Sequence, residues 1–411
     1  MMNQNDIGFQ PTDILVPRQL DMKKWSVVAC DQYTSQPEYW ERVRAFVGDA
    51  PSTLRLMLPE IDLGSRAEPA AINACMAEYL EGEVFRCLPE SLIYVKRTLS
   101  NGKVRQGLIG ALDLECYDYH KGAQSLCRAT EGTVEDRLPP RIRIREGAVL
   151  EMPHIMLLIN DPAFTVIEAL ESIHHEFQKI YDFSLMENGG HLHGYAIKKD
   201  QSASILKALA SLAGAHETPL LYAVGDGNHS LATAKACYER LKEKIGAAAR
   251  SHPARYCLVE LVNLHSPALE FEPIHRVVFH ADSNRLMAAL KKAGLEEGGA
   301  YPQQIQVVQN GVHIPCSFRR ESAKLAVGTL QNALDAYLAE EAGDIDYIHG
   351  ADVVDALCKE ENAIGFILPE MAKEELFPTV VADGALPRKT FSMGRAQDKR
   401  FYLECRRIQA E

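Results

Sequence analysis

Gly225-Asp226-Gly227-Asn228-His229-Ser230 sets a carboxylate, an amide, an imidazole and a hydroxyl within six residues. Groups of these types around a glycine turn can bind an anion, hold a cation and move a proton. Leu220 to Val224, apolar throughout and preceded by Pro219, reads as a short strand buried on both faces. Gly225 and Gly227 then allow a tight turn. Leu231, Ala234, Tyr238, Leu241 and Ile245 mark one face of a helix that Gly246 closes. At such a junction the first N–H groups of the helix lack partners within it, which favours an anion above the turn. A well-capped helix start explains Asp, Asn and Ser equally well. The histidine between them turns the reading towards a site.

Asp31-Gln32-Tyr33 is the second candidate. It follows the apolar strand Ser26 to Cys30, and open α/β sheets place ligands beyond strand ends. Ser35 and Glu38 read as a capping box, with Pro37 in the first turn of a helix to Phe46 that Gly48 closes. Residues 53–58 read as a strand and 70–83 as a helix. Asn101-Gly102 is the strongest short hairpin signal, and Asn310-Gly311 repeats it. Residues 128–145 are dense in both signs of charge and fit a solvated loop. Asp161-Pro162 opens a predicted helix through Ile167, Leu170, Ile173, Phe177 and Ile180, with His174 on its apolar stripe. His191 and His193 stand two apart, so on a strand they share a face, as two metal ligands would, but no third ligand is near in sequence. Helices are expected over 200–214 and 330–342, strands over 256–264 and 401–405, and a helix–strand pair over 353–368. His275-Arg276 precedes an apolar run, and Lys389 lies in Pro387-Arg388-Lys389-Thr390.

The chain has 411 residues, 46% of them hydrophobic and 24% charged, the composition of an ordinary globular protein. A formal net charge of -12 argues against a nucleic-acid surface. Ten cysteines without a Cys-x-x-Cys read as reduced and scattered, neither a disulfide frame nor a zinc site. No apolar run approaches the roughly 20 residues of a membrane helix, and residues 1–12 lack a signal pattern. The expected location is cytoplasmic.

Several segments resemble the DUF1015 family. The glycine turn resembles its "ADGHHRYxxA", and Val27 to Thr34 its "VVAPPYD". Thr130-Glu131-Gly132-Thr133 with Asp136-Arg137 resembles "HExT…DR". His275 to Val278 matches "HRVV", and Leu386 to Thr390 resembles "MPxKST". A more distant similarity runs to the ParB/sulfiredoxin superfamily, which includes free-serine kinases whose glycine turn holds nucleotide phosphates. The resemblance implies a mixed α/β (α+β) fold with a ParB/sulfiredoxin-like core in a larger mixed-sheet chain, divided here as 1–150, 151–285 and 286–411. It also implies phosphoryl transfer on a small hydroxy metabolite, with serine or phosphoserine the expected substrate and the direction open. On this reading Glu131, Asp226 and His229 are catalytic, and Asp226 also holds Mg²⁺. Gly225, Gly227, Asn228, Ser230, Asp31, Gln32, Tyr33, Thr133, Arg137, His275, Arg276 and Lys389 bind phosphate or substrate. ADP or ATP is the expected nucleotide, and the ligand is a small phosphate or carboxylate. A homodimer stays open. Asn228 and Ser230 stand where the family has His and Arg, which removes a phosphate-pairing cation and keeps a non-catalytic regulatory binding protein as the alternative.

Overall fold

The structure, a computed structural model, describes residues 2–3, 6–62, 69–132, 138–214, 219–299, 301–359 and 363–410. Two compact mixed α/β units make up the chain: Met1–Leu269 with Arg395–Glu411, and Glu270–Gly394.

In the first unit, Phe85–Thr98 and Val104–Asp113 form the hairpin predicted from Asn101-Gly102, with Tyr94 opposite Leu108. Among the described residues, an 11-stranded sheet grows from it in both directions. His191–Lys198 and then Gln178–Ser184 add antiparallel on one side. On the other, Tyr256–Asn263 adds antiparallel, and Met156–Ile159 runs parallel to it. Tyr222–Asp226 follows antiparallel to Met156–Ile159 and parallel to Cys127–Ala129. Successive side chains of a strand point to opposite faces, so one hairpin feeds two cores. Ile93, Val95 and Ile109 join Trp25, Trp40 and Phe401, whereas Leu92, Tyr94 and Leu108 join Tyr222, Leu231 and Tyr238. Each such fully buried side chain contributes about 1.5–3 kcal/mol of transfer free energy.

The last segment of the chain crosses the first core. Phe401–Tyr402 pairs with Val27–Val28, and Arg406–Arg407 with Leu150–Glu151, so these are separate two-stranded ribbons and not an extension of the large sheet. Buried ion pairs hold the segment: Arg400 to Glu260 at 2.7 Å and to Glu404 at 2.8 Å, and Arg406 to Glu151 at 2.7 Å. Gly107 leaves the room that the Glu260 carboxylate occupies. Arg97 donates to the carbonyls of Lys399 (2.5 Å) and Gln397 (2.7 Å), and Arg105 to that of Asp398 (2.9 Å).

Four predicted elements differ. The charged stretch 128–145 is no loop at its ends but the strand Cys127–Ala129 and the helix Leu138–Arg145, with Leu138 and Ile142 buried. No long helix follows Asp161; its carboxylate accepts from the Thr165 and Val166 amides, and short 3-10 turns at Glu168–Ser172 and His174–Glu176 lead into the strand Gln178–Ser184. A side chain that bonds the local backbone in this way competes with helix. His174 is consequently half-buried against Tyr195 and not a core residue. Thr53–Arg55 is a 3-10 turn, fixed by Ser52 capping Leu54 and by the Thr53 hydroxyl donating to Trp25. The helix Pro37–Val47 begins after Gln36, and no Ser35 capping box forms.

In the second unit, Phe271–Phe279 lies between Ile364–Ile367 and Asp344–His349 in a sheet that has 7 strands among the described residues and carries the Asn310-Gly311 hairpin. Arg276 is fully buried there. It donates to the carbonyls of Arg388 (2.8 Å) and Lys389 (2.9 Å), and to the Gln331 side chain (3.2 Å). His275 accepts from the Leu368 amide at 3.2 Å.

Glu260→Gln in the first unit should lower unfolding free energy by about 3 kcal/mol or more, because it leaves buried Arg400 with Glu404 alone and takes the facing carboxylate from buried Arg105. Urea denaturation checks this; a loss below about 1 kcal/mol would show that the ion pair does not hold the segment down.

Candidate functional site

The site is built where the strand Tyr222–Asp226 ends. Gly227 takes φ +81°, and the helix Asn228–Ile245 starts immediately after it. A Cβ on Gly227 would come within 3.0 Å of the Ile155 backbone, so glycine is required both by conformation and by space. The N-cap residue of this helix is Gly227 itself, which has no side chain to cap with. Asp226 accepts from the Gly227 amide at 2.9 Å, and Asn228 accepts from the Thr130 amide at 3.3 Å. Thr130 in turn donates to Val224 at 2.5 Å, which holds the segment leading to Glu131 beside the turn.

The C-terminal segment brings in what the turn lacks. The Lys399 ammonium lies 3.4 Å from the Asp226 carboxylate, with both side chains largely buried. Tyr402, one strand step beyond Phe401, donates to the Cys30 sulfur at 3.2 Å and bonds His154 Nδ1 at 2.9 Å. His154 is buried, and its Nε2 faces the Asp31 carboxylate at 3.7 Å. Gln32 donates to Asp31 at 3.0 Å. Tyr33, at φ +54°, stacks on Tyr39 with ring centroids 3.7 Å apart.

These charges tune one another. Burial disfavours the His154 imidazolium, but Asp31 and then Asp226 outweigh it and lift the pKa above its ordinary value. Burial likewise works against the Asp31 carboxylate, yet His154, Gln32 and Lys399 hold its pKa well below the usual carboxylate range. Asp31 and Asp226 therefore share His154 and Lys399 as neighbours, two carboxylates against an imidazole and an ammonium. Cys30 takes no part as a nucleophile: burial and the Asp31 charge push its thiol up to about 11.

A cavity of about 160 Å³ adjoins this cluster, with Cys30, His154, Ser230 and Tyr402 on its polar side and Leu56, Met57 and Met152 on its apolar side. That is close to the ~150 Å³ that accommodates a benzene-sized group, and well below the roughly 300 Å³ or more of pockets that swallow a drug-sized ligand.

The structure thus brings Asp31, Gln32, Asp226, Gly227 and Ser230 to one region, with Gly225 inside the strand and Asn228 and Glu131 on its Thr130 side. The His229 carbonyl accepts from Thr233 at 2.7 Å inside the helix. Thr133 and Arg137 lie outside the described residues. His275, Arg276 and Lys389 belong to the second unit. Asp226 joins no group of three metal-ligating side chains; among the described residues the group that does form is Asp182, His191 and His193. His154, Lys399 and Tyr402 were missed from the sequence. Their only signals are a Pro-His step and a C-terminal Lys-Arg-Phe-Tyr run, neither of which carries a recognisable spacing.

A mixed α/β chain with a glycine-turn site at a strand end is the class these features define. The family model described as "Protein of unknown function (DUF1015)" matches residues 13–351, and the chain belongs to that family. No curated protein matches it. Among solved structures it is similar to a variant of a free serine kinase in complex with AMP, at 15% identity and a TM-score of 0.40, over 75% of this chain and 92% of that one. It is also similar to a conserved hypothetical protein from Pyrococcus furiosus (12% identity, TM-score 0.37, 73% and 94% covered). A third similarity is to C-terminally truncated SbnI from Staphylococcus aureus (10%, 0.37, 72% and 82%).

Two predictions follow from the geometry. Gly227→Ala should cost about 1–3 kcal/mol, from the left-handed backbone and the Ile155 contact, measured by urea unfolding. The second concerns pH. The raised His154 pKa stabilises fully below the ordinary imidazole value of about 6.5 and is lost as pH climbs through the raised value. The lowered Asp31 pKa stabilises above about 4 and is lost only in stronger acid. The Tm advantage of the native chain over Asp31→Asn should therefore be largest between about pH 4 and 6.5 and shrink in alkali. A difference that stays flat into alkali would mean the two groups do not interact.

Proposed function

We propose that the first unit carries out phosphoryl transfer to or from a small hydroxy metabolite, with serine or phosphoserine as the substrate and ADP or ATP as the nucleotide. The observation that supports this reading is the Asp226–Lys399 and Asp31–His154 pairing beside the helix start at Gly227. Phosphoryl transfer asks mainly for positioning and charge stabilisation. The helix start offers partial positive charge to a phosphate, and Lys399 offers the full cation that Ser230 does not. Protonated His154 adds a second cation, fixed by Asp31 and Tyr402. Glu131 is the proposed acceptor of the hydroxyl proton, with His229 and Asn228 at the turn orienting the phosphoryl oxygens. Mg²⁺ usually binds through one or two carboxylates together with phosphate oxygens, a donor set that Asp226 and Asp31 provide. Bound there, it would neutralise charge on the phosphates. The apolar side of the cavity at Met57 and Met152 suits the flat edge of a nucleobase.

The alternative is a regulatory protein that binds the ligand without turning it over. The pairing of Asp226 with Lys399 favours it, since a carboxylate already neutralised holds a metal less readily.

Incubation with ATP or ADP, Mg²⁺ and serine, alongside phosphoserine hydrolysis, separates the two. Under the enzyme reading Lys399→Met and Asp226→Asn each reduce kcat by about 10²–10³ while far-UV circular dichroism stays unchanged. A ligand-dependent rise in Tm without turnover points to the regulatory protein. Neither turnover nor a shift removes both.

A further inference from the structure

Away from the glycine turn, His191 and His193 sit two apart on the strand His191–Lys198, and their side chains share its exposed face. The neighbouring strand Gln178–Ser184 places Asp182 directly opposite His193 and Ser184 directly opposite His191. Asp182 thus becomes the third group that the sequence alone does not place. His191 Nε2 lies 2.8 Å from Asp182 Oδ1, and His193 Nδ1 lies 3.3 Å from Oδ2. All three ligand atoms fall within 4.8 Å of one another.

We propose that Asp182, His191 and His193 form a site for a divalent first-row transition metal, with Zn²⁺ the best fit. Bonds of about 2.0–2.2 Å to one ion need ligand atoms at most roughly 4 Å apart, which exposed side chains reach by small rotations. The serine supplies orientation: its hydroxyl meets His191 Nδ1 at 3.0 Å, which turns Nε2 towards the aspartate, as outer partners of metal-bound histidines do. Two lysines stand near. Lys96, directly opposite His193 on the other side, is drawn off by Glu171 at 2.6 Å. Lys179 pairs with Asp182 Oδ2 at 2.8 Å and is the group a metal must displace, but an exposed lysine pair is weak. Two imidazoles and one carboxylate suit Zn²⁺, Ni²⁺ or Cu²⁺, whereas Mg²⁺ prefers an all-oxygen shell. Three protein ligands leave positions for water. Such an ion would clamp the edge strand Gln178–Ser184 to its neighbour, independently of any reaction at the glycine turn.

The test titrates the full chain with Zn²⁺ alone against a chromophoric chelator. One Zn²⁺ per chain is expected, weakened about 10-fold or more by His191→Ala and by Asp182→Asn, and unmoved by His174→Ala or excess Mg²⁺. Co²⁺ in the same site should give visible bands without a thiolate charge-transfer band, which separates it from the ten cysteines. Asp182→Asn keeps the side-chain shape, and a metal-free melt equal to that of the native chain shows the fold intact. Equal Zn²⁺ affinity in native and variant chains, or a thiolate band, would overturn the proposal.

Discussion

Arg400, held between Glu260 and Glu404 inside the first unit, is the contact on which the candidate site rests. Isolated charges of this kind are costly to bury, and an ion pair in an interior barely offsets its own desolvation. What it achieves here is placement. Lys399 directly precedes Arg400 in the chain, and Tyr402 follows it by two. With the guanidinium fixed in the core, Lys399 meets Asp226 and Tyr402 meets both Cys30 and His154. Arg97 and Arg105, both buried, fix the carbonyls just before it. Burial, then its neighbour Arg105, brings the Arg97 pKa down to about 9, which still leaves it charged at neutral pH.

This arrangement gathers cationic groups at one point of a chain whose formal net charge is -12. Overall charge governs solubility and long-range attraction. The local field at the turn comes from Lys399, His154 and the helix start, set a few ångströms from Asp226 and Asp31.

Local patterning made part of this legible. Pro219 to Gly246 folds as strand, glycine turn and helix, though the strand runs on through Gly225 to Asp226 and Gly227 alone makes the turn; each of these elements is decided within a few residues. The Asn-Gly hairpins at 101–102 and 310–311 are decided in the same way. Asp161 misled because an acidic residue before a period of apolar positions signals a helix, whereas here its carboxylate bonds the Thr165 and Val166 amides and holds an irregular turn. Residues whose roles depend on pairing across long separations left no local mark. Lys399 reaches Asp226 across 173 positions (399 minus 226), and Asp182 reaches His193 only through strand register. His275-Arg276 and Pro387 to Thr390, which read as two separate motifs, meet as one buried tie, with Arg276 donating to the backbone of Arg388 and Lys389.

The second unit interrupts the first between Leu269 and Arg395. During vectorial synthesis the ribosome must therefore finish the inserted unit before it delivers the residues that close the earlier one. Until then Glu260 and Glu151 lack Arg400 and Arg406, and Asp226 and His154 lack Lys399 and Tyr402. The nascent chain would thus pass through a stage with a completed later unit and an open earlier one, vulnerable to proteases and attractive to chaperones. The contacts of Lys399 with Asp226 and of Tyr402 with His154 can therefore form only after the second unit has been synthesised.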